Sequence, residues 1–147
     1  DDKEGLKKSL NNAIQSDLEN PILHFALGTA LQSLGDNEGA KNSYLRSIQL
    51  DNNSFDAHNN LASMYLEETA SLIEKMNKLG SGSSDQRKYK SYRKKRNDLY
   101  NKSIPHLEEC VRIQAENITI LNVLKEIYYK VGDIEKMRRI KSIIDSL

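Results

Sequence analysis

Apolar residues recur at helical spacing from one end of the chain to the other. Leu6, Leu10, Ile14 and Leu18 fall every four residues near the start. Ile134, Met137, Ile140, Ile143 and Leu147 form a second stripe at the end, with Lys136, Arg138, Arg139 and Lys141 outside it. Intervals of three and four place such residues on one face of a helix and predict amphipathic helices, not strands. Leu34-Gly35-Asp36 and Val131-Gly132-Asp133 interrupt the stripes and read as tight turns in which glycine takes positive φ.

The stripes are copies of one another. A shift of 34 residues places His24 on His58, Leu27 on Leu61, Gly28 on Ala62 and Leu31 on Tyr65; upstream, it places Leu6 on Ala40, Leu10 on Tyr44 and Ala13 on Ser47. A shift of 63 places Tyr44 on Leu107, Ser47 on Cys110, Leu50 on Ile113, Leu61 on Leu124 and Tyr65 on Tyr128. Gly35 and Gly132 lie 97 apart, which is two periods of 34 plus 29. One 34-residue unit, repeated and interrupted by a single insertion of 29 residues, accounts for most of the chain.

At these positions the sequence resembles the tetratricopeptide repeat (TPR) family. The first full repeat supplies His24, Leu27-Gly28, Leu31, Ala40 and Tyr44; the second His58, Leu61-Ala62 and Tyr65, then Ser103 and Leu107; the third Leu121, Leu124-Lys125, Tyr128 and Met137. The third is the loosest, with Lys125 in a small-residue slot and Lys141 where an aromatic is usual, and Asn52 and Ala115 stand where the family often closes with proline. The resemblance implies an all-α, TPR-like right-handed superhelix of antiparallel helix pairs. It would form a single domain over 1–147: the second helix of an incomplete repeat (1–20), a repeat (21–54), a repeat with the insertion (55–117) and a C-terminal repeat or cap (118–147). The unpartnered first helix implies that the natural protein continues upstream, or that this helix acts as a cap. Helix pairs this short must stack to bury their faces, so Gly28, Ala40, Ala62 and Ser103 are expected where helices approach most closely.

The insertion reads as a helical hairpin. Leu61, Tyr65, Leu72, Met76 and Leu79 carry the first arm past the usual turn, Gly80-Ser81-Gly82-Ser83-Ser84 forms the tip, and Ser83 with Gln86 has capping-box spacing for the second arm. Tyr89, Tyr92, Leu99 and Ser103 are expected on its inner face, the tyrosines against Leu72 and Met76. Pro105 removes a backbone donor, which predicts a kink or break near Asn101–Ser103.

Charge sharpens the picture only here. The chain is almost balanced, at +1, and mean hydropathy is −0.69, with no apolar run of membrane-spanning length. From Gln86 to Lys102, however, Arg87, Lys88, Lys90, Arg93, Lys94, Lys95, Arg96 and Lys102 face one negative residue, Asp98, giving +7 against −6 for the remainder. The preferred reading is a solvated helix face, partly neutralised by Glu67, Glu68 and Glu74. The rival is an arm that docks on nucleic acid, an anionic surface or an acidic protein, with Tyr89 and Tyr92 adding stacking.

Catalytic chemistry finds no support. His24 and His58 share one repeat position and belong to the framework; His106 and Cys110 sit four apart, a common spacing; Cys110 fills a small-residue slot, and a lone cysteine excludes a disulfide framework. There is no P-loop, dinucleotide fingerprint or metal-binding histidine pair, and no cofactor is expected. By resemblance, first helices line the inner groove, through Ile22, Phe25, Thr29 and Gln32, then Asn59, Ser63 and Leu66, then Thr119, Asn122, Glu126 and Tyr129. That mixed surface suits a peptide or helix of a partner protein; alternatively Ile22 and Phe25 simply pack on the N-terminal helix. The chaperone-carboxylate clamp is excluded, since its positions read Phe25, Thr29, Asn60, Thr119 and Val123 and lack the basic side chains. The expected function is a non-enzymatic protein-interaction scaffold. The long hairpin, with Lys125-Glu126-Ile127-Tyr128, is similar to TPR proteins of bacterial envelopes, which implies a periplasmic or envelope setting.

Overall fold

The computed structural model describes residues 2–147. Seven helices follow one another: α1 (Lys3–Ser16), α2 (Pro21–Ser33), α3 (Asn37–Leu50), α4 (Phe55–Asn77), α5 (Ser83–Ile113), α6 (Ile118–Val131) and α7 (Ile134–Ser146), with no strand among the described residues. The all-α, TPR-like expectation holds. The chain divides into two compact units, Asp1–Leu61 and Ala62–Leu147.

In the first unit α2 packs on α1 and on α3, and polar side chains set where each helix begins. The Asp2 carboxylate accepts the Gly5 amide at 2.8 Å. Asn20 accepts from Ile22 and Leu23 at 3.1 and 3.4 Å, and Pro21 follows at the first helical position, where its missing N–H is harmless. α2 ends at Gly35, whose φ of 81° only glycine adopts without strain. The Asp36 amide then reaches back to the Leu31 carbonyl at 3.0 Å, and its side chain caps α3 by accepting the Gly39 amide at 3.0 Å. Ser54 performs the same service for α4, accepting from Ala57 at 3.3 Å. The histidines are framework, as their shared position implies. His24 Nε2 lies 3.0 Å from the Leu18 carbonyl and His58 Nε2 lies 3.3 Å from that of Asn52, each six residues back across an inter-repeat connection.

Tyr44 is the centre of this unit. It is fully buried, and its ring lies against the backbone of Gly28. A Cβ at Gly28 would come within 2.7 Å of Cδ1 and Cε1 of that ring. Ala40, also fully buried, is the matching small residue on α3. Ser47 donates to the Pro21 carbonyl at 2.8 Å and ties the end of α3 to the start of α2. α1 is held less deeply: none of its residues is buried, and Leu6 and Leu18 are more than half exposed.

In the second unit α6 packs on α5 and on α7 over Leu107, Cys110, Leu121, Leu124, Ile127, Tyr128 and Ile140. Leu107 and Cys110 are buried, as Tyr44 and Ser47 are 63 residues earlier. The turn at Gly132 repeats the one at Gly35: φ is 88°, the Asp133 amide reaches the Tyr128 carbonyl at 2.9 Å, and the Asp133 carboxylate caps α7 through the Lys136 amide at 3.0 Å. The loose third repeat also shows physically. Lys125 is only half-buried and bonds Asn122 Oδ1 at 2.9 Å, and Lys141 is exposed and pairs with Asp145 at 2.6 Å.

The hairpin is present, formed by helices of 23 and 31 residues against 13 and 14 for α2 and α3. Three details differ from expectation. Pro105 neither breaks nor ends α5, which is continuous from Ser83 to Ile113. Pro105 and Asn101 lie on the exposed side, where solvent can reach the carbonyl that Pro105 cannot serve. Ser83 is the first helical residue, not the cap. Gly82 precedes the helix without a side-chain bond, while Asp85 accepts the Gly80 amide at 2.9 Å and the Gln86 side chain donates through Nε2 to the Ser81 carbonyl at 3.2 Å. Finally, Tyr89 is 46% exposed and does not line the inner face. Tyr65 stacks on His106 with centroids 6.4 Å apart, and Leu72 and Lys75 share a trench with Leu99 and Lys95. Continued upward, that register brings Tyr89 level with the tip, where α4 has ended.

The contact between Gly28 and Tyr44 makes a direct test of the packing. Gly28→Leu should lower the free energy of unfolding by about 1–3 kcal/mol through overpacking, measured by urea denaturation.

Candidate interaction surfaces

In the first unit, the side chains expected in the groove largely serve Tyr44. Its hydroxyl donates to Gln32 Oε1 at 2.9 Å, lies 3.3 Å from Thr29 Oγ1 and accepts from Asn60 Nδ2 at 3.3 Å. Phe25 packs on the Tyr44 ring with centroids 5.7 Å apart and planes tilted by 44°. Asn59 is half-buried. Ile22 does not pack on the N-terminal helix, being 73% exposed: it occupies the first turn of α2, directly after Pro21, on its solvent side. Asn60, among the positions compared with the chaperone clamp, is engaged with the tyrosine.

In the second unit, Asn122, Glu126 and Tyr129 form an exposed row on α6 at intervals of four and three residues. Tyr129 is 67% exposed. With Lys125, Met137 and Lys141 the row surrounds a hollow of about 480 Å³. Asn122 is oriented by its own helix, donating to the Ile118 carbonyl at 3.0 Å. A second hollow, of about 260 Å³, has an apolar floor that includes Leu66, Ile73, Val123 and Ile127, with Glu126 and Lys130 among its lining residues. Glu126 and Lys130 pair at 2.6 Å, and Lys130 sits 5.9 Å from the centroid of the Tyr100 ring. The hydrogen bond that it donates to Glu126 holds the Lys130 ammonium above its usual pKa despite partial burial. Glu126 therefore borders both hollows. Ser63 and Leu66 are half-buried on α4. The sequence marks Lys141 only as a departure from the repeat and does not single out Lys130, although Lys130 stands one helical turn after Glu126, a spacing that signals an ion pair.

The basic arm is more exposed than a packed helix face would be. From Gln86 to Lys95 every residue except Tyr92 is exposed. Lys88 lies 3.7 Å from Asp85, while among the described residues no carboxylate pairs with Arg87, Lys90, Arg93, Lys94 or Lys95. Glu74 pairs with Lys78 on its own helix at 2.6 Å. Arg96 departs from the set: it is half-buried, bonded to Asn97 Oδ1 at 3.0 and 3.2 Å, and lies 5.8 Å from the centroid of the Tyr100 ring. Its position in the helical rotation turns it toward the packed side. Lys102 lies 5.9 Å from the Tyr65 ring. A trench of about 410 Å³ runs between the arms, lined on α4 by Glu68, Ser71, Leu72 and Lys75 and on α5 by Lys95, Asp98, Leu99 and Lys102.

Among the described residues no group of three or more His, Cys, Asp and Glu side chains is placed to hold a metal, and no helix is long and apolar enough to cross a membrane. One perturbed titrating group is structural. Tyr128 is buried and donates to Glu108 Oε1, which also accepts Lys136 Nζ at 3.0 Å. The Lys136 ammonium lies 5.3 Å from the Tyr128 ring centroid. One carboxylate of α5 thereby ties α6 and α7 together.

This arrangement defines a helical-repeat architecture with open surface hollows and charged faces. Residues 30–68, from the end of α2 through α3 into α4, match the family model of the TPR repeat. A comparison with curated proteins gave no match.

Burial, followed by the bond to Glu108, raises the Tyr128 phenol above its usual pKa. The neutral phenol is therefore favoured in the fold, and its contribution to stability is present below about pH 10 and lost as pH rises beyond it. Tyr128→Phe should cost about 1–3 kcal/mol at pH 7 and should flatten the decline above pH 10, both read by denaturation across pH.

Proposed function

We propose that the protein is a non-catalytic scaffold that binds a segment of a partner protein on the α6 face of its second unit. The observation that carries this reading is the exposed row Asn122, Glu126 and Tyr129 beside the hollow with Lys125, Met137 and Lys141. The Tyr129 side chain is two-thirds exposed, and large aromatics amid oriented amide and charged groups are the side chains that anchor interfaces. The TPR repeat over 30–68 agrees, since repeats of this class serve as protein-interaction modules. Peptides in such grooves are held by side-chain anchors at helical or extended spacing, and the Glu126–Lys130 pair at the border favours a segment carrying both polar and apolar groups.

In the first unit, taken by itself, Phe25, Thr29 and Gln32 are engaged with Tyr44, while Ile22 is exposed.

Affinity capture with the intact chain tests the proposal. The double variant Asn122→Ala/Tyr129→Ala should recover at least about tenfold less partner, the loss expected when an interface anchor is removed, while the thermal midpoint stays essentially unchanged. Undiminished recovery, or a large fall in the midpoint, would assign these residues a structural role.

A further inference from the structure

The upper part of α5 carries a feature that neither the repeat nor the α6 surface uses. Arg87, Lys88, Lys90, Arg93, Lys94 and Lys95 are all exposed and occupy about 12 Å of helix. At 100° per residue they cover roughly 220° of its circumference. Arg87 and Lys94 form the crest. Lys90 and Arg93 lie on one flank; Lys88 and Lys95 lie on the other, where Lys95 borders the trench beside α4. The packed residues Tyr92, Leu99 and Tyr100 take the remaining arc.

We propose that this segment docks as a helix into the major groove of double-stranded DNA, its cations facing phosphates on both walls. Charge density decides among the polyanions. Duplex DNA carries one phosphate per about 1.7 Å of axis, or roughly seven over 12 Å, which matches six cations. An extended acidic peptide presents at most about four carboxylates in that length, at 3.3 Å per residue, and to one side only. A flat anionic bilayer also meets one side, and this helix has no apolar face to insert, since Tyr89 is its one exposed large apolar residue. The groove, about 12 Å wide, accepts an α-helix and flanks it with charge on both sides. Crest and flanks then each have a counterpart, and Tyr89, near the tip, stays clear of the packed arms.

The test is fluorescence anisotropy of the intact chain with a short labelled DNA duplex. Six phosphate contacts predict that affinity falls about 400-fold between about 50 and 150 mM salt. The variant Arg87→Gln/Lys90→Gln/Arg93→Gln/Lys94→Gln/Lys95→Gln should bind at least about 100-fold more weakly with a nearly flat salt dependence, while its helical circular dichroism is unchanged. The charge-preserving Arg87→Lys/Lys94→Arg variant should retain binding and controls for loss of fold. The proposal is overturned by absence of duplex binding at low salt, by a neutralised variant that binds like the parent, or by equally tight binding to polyglutamate or phosphatidylserine vesicles.

Discussion

The first unit rests on the close approach of two helices at Gly28. The Tyr44 ring fills the space a side chain there would take, and its hydroxyl is shared with Thr29 and Gln32 of α2 and Asn60 of α4. One residue of α3 thus sets its distance from α2 by steric contact and its register by polar contact with both neighbours. The two constraints reinforce each other. A buried phenol without partners would carry a desolvation penalty, and a ring free to withdraw from Gly28 would leave those partners unmade. This explains why side chains on the nominal binding face of α2 are less available than their spacing suggests.

What the sequence made legible is what local physics decides. Gly35 and Gly132 take the same left-handed conformation, and Asp36 and Asp133 cap the next helix with the same geometry, 97 residues apart. The paired roles of His24 and His58, and the burial of Leu107 and Cys110, follow from the repeat alone. What misled was long-range context. The Ser83–Gln86 spacing fits a capping box, but Asp85 and Gln86 reach back to the tip backbone and let the helix start at Gly82–Ser83. Pro105 reads as a breaker until it is seen to face outward in a helix anchored on both sides by Ser103 and Leu107. Tyr89 has the right spacing for the inner face, but spacing cannot reveal that α4 has already ended. At the candidate surface, Asn122, Glu126 and Tyr129 were legible as one face of a first helix, whereas the hollow with Met137 and Lys141 depends on how α7 packs.

The hairpin changes the mechanical character of the second unit. α5 is anchored in its lower half by Tyr100, Ser103, Leu107 and Cys110, all buried, whereas from Ser83 to Asp98 it buries no side chain. Helix propagation from a packed segment needs no new nucleus, and Lys, Arg and Gln are good helix formers, so the upper half can stay helical with little tertiary support. Its local opening free energy lies at the low end for the unit, while the Glu108–Tyr128–Lys136 cluster fixes the opposite end.

Charge pattern separates what that upper half does for the fold from what it does for anything else. A helix tuned only for its own stability would set glutamates one turn from its lysines, as Glu74 with Lys78 and Glu126 with Lys130 do elsewhere in the chain. Between Arg87 and Arg96 the sequence does the reverse. Lys90 and Lys94 are like charges four residues apart, as are Arg87 and Lys90 at three, and each such pair disfavours the helix by a few tenths of a kcal/mol. Asp85 relieves Lys88 alone. Asp98 and Glu68, which border the trench with Lys95, offset that repulsion only at the base of the arm, and the rest is borne by the segment with the least burial to offset it. An external anion removes that cost on binding, so the same residues that weaken the free arm strengthen any complex in which phosphates replace the missing carboxylates.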